Sequence, residues 1–78
     1  MKEPVTVHVY NCKRAFRVPI ALARERGLRD RSNVEITIRR GRTLVYRGDA
    51  RLTSGFEVCS GKAVKELEQG EKIGISFP

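Results

Sequence analysis

Residues 13–47 read KRAFRVPIALARERGLRDRSNVEITIRRGRTLVYR, and this stretch decides how the chain folds. At its centre Val34, Ile36 and Ile38 alternate with Glu35, Thr37 and Arg39, the two-residue period of a strand that buries one face. Arg40 and Gly41 supply a tight turn, and residues 43–47 return as a β-rich partner. Upstream, Pro19 suits the first position of a helix, where its missing N–H removes no bond. Residues 20–26 continue with good helix formers, and Gly27 is placed to end the helix in the left-handed conformation. A helix of about two turns is too short to hold without tertiary packing. Before it, Val5, Val7 and Val9 alternate with Thr6, His8 and Tyr10, Asn11, Cys12 and Lys13 interrupt the pattern, and residues 15–18 form a short return strand. The order expected so far is hairpin, short helix, hairpin.

Downstream, Gly48 and Asp49 read as a further turn. Phe56, Glu57 and Val58 form a short strand, and residues 61–69 a helix that Ser60 caps and Gly70 ends. Ala63, Val64 and Leu67 give that helix one apolar stripe, and Ile73, Ile75 and Phe77 alternate in a closing strand over residues 72–77. No internal sequence repeat is visible. The expected class is mainly β with short helices (α+β), with a domain over residues 1–48 and a C-terminal strand-helix-strand extension over 49–78 that belongs either to the same fold or to an oligomerisation device.

Seventy-eight residues make one domain, and a chain of that length buries only about 60–65% of the surface it exposes when unfolded. A core shared with a second copy would relieve that shortage. The net charge is +7 and is unevenly spread. Residues 1–48 carry 12 basic and 4 acidic side chains, a net of +8, while residues 49–78 carry 4 and 5, a net of −1. Ten of those 12 basic residues are arginine, whose planar fork suits phosphate and guanine. A polyanion is the partner this charge implies.

The spacing within residues 13–47 resembles that of the AbrB/MazE-like (SpoVT-AbrB) swapped-hairpin family of DNA-binding proteins. The family pattern has an apolar residue and proline, an apolar helix residue three positions on, a Gly-Leu pair at eight and nine, and a strand start at fifteen; Val18-Pro19, Leu22, Gly27-Leu28 and Val34 occupy those places. Arg17-Val18-Pro19 is similar to the MazE branch, where a basic residue precedes the pair. Three positions depart from the pattern: Arg31 replaces the glycine that opens the turn before Val34, Ser32 stands where an Asp is common, and Arg26 replaces an apolar helix residue. The resemblance implies a homodimer whose hairpins interleave into one swapped-hairpin β-barrel. It also implies double-stranded DNA as partner, with Arg17, Lys13, Arg14 and Arg24 as the contacting residues and a pseudo-palindromic site read by two related surfaces. The function expected is a transcriptional regulator, with an antitoxin-type autorepressor and its cognate toxin as one variant. The alternative is an RNA-binding or protein-interaction module using the arginine-rich face.

Other chemistry finds little support in the residues. His8, Cys12 and Cys59 are the only soft metal ligands and have no paired spacing, so neither metal nor cofactor is expected. There is no glycine-rich phosphate loop and no nucleophile elbow, so the chain reads as no enzyme. A lone cysteine pair makes no disulfide framework, and Cys12 in the hairpin bend reads as an unreactive thiol. Without an apolar run long enough to cross a membrane or a leader-like start, a cytoplasmic location is the expectation.

Overall fold

The computed structural model describes residues 4–59 and 61–78. Along the chain run β1 (Val5–His8), β2 (Phe16–Arg17), α1 (Ile20–Glu25), β3 (Asn33–Arg40), β4 (Thr43–Arg51), β5 (Glu57–Val58), α2 (Lys62–Lys65) and β6 (Lys72–Ser76). The protein is mainly β, with antiparallel sheets and two short helices. Ile36 and Ile38 are fully buried on one face of β3 while Glu35 and Arg39 stand exposed on the other, as their alternation requires. The β3–β4 hairpin turns at Gly41 and carries a bulge where Ile38 faces Tyr46 but Arg39 faces Leu44.

One sheet has the order β1-β6-β3-β4, and the other is the pair β2-β5. Phe16 and Val58 face inward from the small sheet and meet Ile36, Ile38, Ile73 and Ile75 from the large one in a single core. Ala23 from α1, Ala63 and Val64 from α2, and Leu67 just beyond α2 close that core. The C-terminal residues are thus integral to it, with β6 lying between β1 and β3.

Four sequence expectations need correction. Residues 15–18 do not complete a hairpin ladder with β1: only the Tyr10 N–H reaches back, to the Ala15 carbonyl at 2.9 Å, while β1 pairs with β6 and β2 with β5. Two residues of β2 offer too little edge to compete with five of β6. Pro19 precedes the helix rather than opening it, and its carbonyl accepts the Ala23 N–H at 2.9 Å. Gly48 and Asp49 are not a turn but lie inside β4 opposite Ile36 and Glu35. Gly48 is there because the Tyr46 ring lies across it, where a Cβ would stand 2.9 Å from the phenol oxygen. The second helix is a single turn, Lys62–Lys65, rather than nine residues; Ser60, its expected cap, lies outside the described residues.

The expected end of α1 is present. Gly27 has φ +64°, its N–H bonds the Arg24 carbonyl at 3.2 Å, and the Leu28 N–H bonds the Ala23 carbonyl at 2.9 Å. Those two bonds satisfy carbonyls that the helix leaves open, and the left-handed residue between them is one glycine adopts without a Cβ clash.

Although no repeat is visible in the sequence, the backbone has one. Exchanging β1 with β4, β2 with β5 and β3 with β6 turns the order β1-β6-β3-β4 into its own reverse and leaves the β2-β5 pair unchanged. The chain is therefore two strand-strand-helix-strand units about a pseudo-two-fold axis. The corners agree as well. Val9 N–H bonds the Glu71 carbonyl and Gly70 N–H the Tyr10 carbonyl; in the other unit Leu52 N–H bonds the Ser32 carbonyl and Arg31 N–H the Thr53 carbonyl. Gly70 and Arg31 occupy equivalent places and both have positive φ, +80° and +55°.

Candidate nucleic-acid interface

The residues expected to touch DNA divide into a group and an outlier. Lys13 and Arg14 are exposed in the bend of residues 11–14, between β1 and β2. Arg17 is exposed on β2 because its neighbours Phe16 and Val18 are both fully buried. Tyr10 joins these elements. The Lys13 ammonium lies over its ring, 5.4 Å from the centroid, a distance at which a cation is attracted by the ring face. Its phenol donates a hydrogen bond to Glu57 Oε2, and Glu57 is the β5 residue paired with Arg17. Arg24 is exposed on α1, a separate element, and among the described residues no hydrogen bond, ion pair or ring contact links it to the Tyr10 group.

The electrostatics follow from this packing. The hydrogen bond to Glu57 raises the Tyr10 pKa above its ordinary value, burial and the Glu57 charge add to the rise, and the Arg17 guanidinium opposes it. The group is thus a mixed one, in which two cations flank a protonated phenol and a carboxylate.

Most other arginines have no ion-pair partner among the described residues. Among the described residues the one ion pair is Arg40 with Glu71, where Nε and Nη2 donate to Oε1 at 2.7 Å and to Oε2 at 2.9 Å. Nη2 also donates to the Glu66 carbonyl at 3.0 Å. Arg40 therefore clasps the end of β3 to the segment before β6 and is spent on the fold. Its hydrogen bond to Glu71 raises its own pKa and lowers that of Glu71, which also accepts the Glu68 N–H.

Compared with known protein families, with curated proteins and with solved structures, the chain matches none.

Sequence reasoning missed Tyr10 and Glu57 as members of the group. From the sequence Tyr10 is one residue of the first alternating strand, and Glu57 lies 47 residues away from it, across a pairing of β2 with β5 that no local period reveals. The one available signal was the opposite charge of Arg17 and Glu57. Among the described residues no cluster of three His, Cys, Asp or Glu side chains is placed to hold a metal ion, and both thiols are free and exposed. No helix of the described residues is long and apolar enough to cross a membrane.

Proposed function

We propose that this protein is a small DNA-binding transcriptional regulator that grips the duplex backbone with Lys13, Arg14 and Arg17, Arg24 adding a contact from α1. The observation that carries the reading is the free state of the cations. A net charge of +7 meets one internal ion pair among the described residues, so the positive field faces outward. Lys13, Arg14 and Arg17 converge on one loop and the strand that follows it, where flexible and forked donors together suit phosphate oxygens. Because residues 49–78 have a net charge of −1, the second unit lacks a matching basic loop. A homodimer belongs to the proposal, since two copies would supply the paired basic surfaces of a two-fold site.

An antitoxin-type autorepressor with a cognate toxin is one variant of this reading. Fluorescence anisotropy with duplex DNA and with single-stranded RNA of equal length tests the reading. Duplex should bind more tightly, and Lys13→Gln with Arg14→Gln should weaken it at least several-fold; equal binding of both nucleic acids, or indifference to the substitutions, would favour the RNA or protein-interaction alternative.

A further inference from the structure

The outward face of the four-stranded sheet takes no part in the core or in the Tyr10 group. Alternation places Lys72 of β6, Arg39 of β3 and Arg47 of β4 on that face, all exposed. Their register puts them in line. Arg39 pairs with Gly74, two residues along β6 from Lys72, and Arg47 pairs with Thr37, two residues along β3 from Arg39. Each step is a diagonal between adjacent antiparallel strands, about 7–8 Å. Thr6, Thr37, Gly74 and Ser76 flank the line, exposed Leu44 stands across from Arg39 and His8 across from Lys72, and a shallow groove bordered by Pro4, Thr6, Gly41, Lys72 and Gly74 opens at one end. Beyond Arg47 the line is closed by Glu35 and Asp49, which pair with each other in the next row.

None of the three cations has an ion-pair partner among the described residues. Cations drawn from three strands at regular steps over an uncharged floor complement a row of regularly spaced anions. The face carries no Phe or Tyr, so unpaired bases find no aromatic platform on it, and its donors suit a backbone rather than base edges. Arg17 and Arg39 leave the common core on opposite sides, because the small sheet and the large sheet turn their inner faces toward each other. A body of 29 × 27 × 20 Å standing between them keeps one straight duplex from touching both.

We propose that the outer sheet face binds the phosphate backbone of a second DNA duplex, so that each chain holds two DNA segments, one at the Tyr10 loop and one across Lys72, Arg39 and Arg47. The inference rests on the DNA-binding reading above and extends it to a bridging role. Sedimentation of the full chain with a short dye-labelled duplex at low salt gives the number of duplexes per dimer. The wild type should bind three, one shared by the two loops and one on each sheet face. The sheet variant (Arg39→Gln, Arg47→Gln, Lys72→Gln) should bind one and the loop variant (Lys13→Gln, Arg14→Gln, Arg17→Gln) two, with their circular dichroism spectra unchanged. A wild type that saturates at one duplex per dimer, or a sheet variant that still binds three, overturns the bridging face whatever the loop variant does. A loop variant that still binds three beside a sheet variant that binds one leaves the sheet face standing and shows that the loop is not a second site.

Discussion

Glu57 is the carboxylate nearest the heart of the proposed interface, and its position beside Arg17 makes a sharp test. Its negative charge opposes any phosphate approaching Arg17, while its hydrogen bond from Tyr10 holds the loop strand to β5. Glu57→Gln keeps a hydrogen-bonding oxygen and removes the charge, so duplex affinity should rise by roughly two- to five-fold at low salt, an effect that screening should erase as salt is added. Anisotropy at two salt concentrations reads this, and a loss of affinity would mean that the carboxylate serves the interface in another way. Glu71 makes a different prediction. It gives up its proton more readily folded than unfolded because Arg40 donates to it. Its contribution to stability is therefore complete above the ordinary glutamate pKa and is lost as the pH falls through the lowered value. The pair stands at the surface and is screened, so Glu71→Gln should cost less than about 1 kcal/mol near neutrality and nothing in acid. Thermal unfolding across that range measures it.

At the scale of elements, the two corners before β3 and β6 perform one job with different residues. Both need a left-handed backbone, which Gly70 adopts freely and Arg31 adopts against its Cβ. Arg31→Gly should therefore stabilise the protein by about 0.5–1 kcal/mol. Gly70→Ala should destabilise it by about 1–2 kcal/mol, because φ +80° brings a Cβ into the left-handed strain that glycine avoids. Denaturant midpoints of the two variants should move in opposite directions, and a shift in the same direction would break the equivalence of the corners. These elements also show what the chain discloses in advance. The buried faces of β3 and β6 and the Gly27 stop were legible because alternation and a left-handed glycine act locally. The partners of β2 were not, because a two-residue strand carries no period and its mate lies about forty residues away. Gly48-Asp49 misled for a related reason: the residues of a turn also serve where an aromatic ring must cross a strand. Of the candidate site, Lys13, Arg14 and Arg17 could be named from the chain, whereas Glu57 could be assigned only once the sheets were assembled.

For the whole molecule, the pseudo-two-fold axis and the charge distribution pull apart. The backbone repeats its unit, with Thr37 paired to Ser76 where the two central strands meet, yet the first 48 residues carry +8 and the remainder −1. The loop cations thus belong to the first unit, while the second contributes Arg47 and Lys72 to the outer sheet face and supplies the matching half of the core from within the same chain. Lys13, Arg14 and Arg17, if they grip the duplex backbone as proposed, release counterions from it, and the salt dependence of binding reports that release. The slope of log affinity against log salt should fall in magnitude by about 0.9 for each phosphate contact removed when these three are changed to glutamine. An identical slope in the wild type and the triple variant, with the fold intact, would contradict the account.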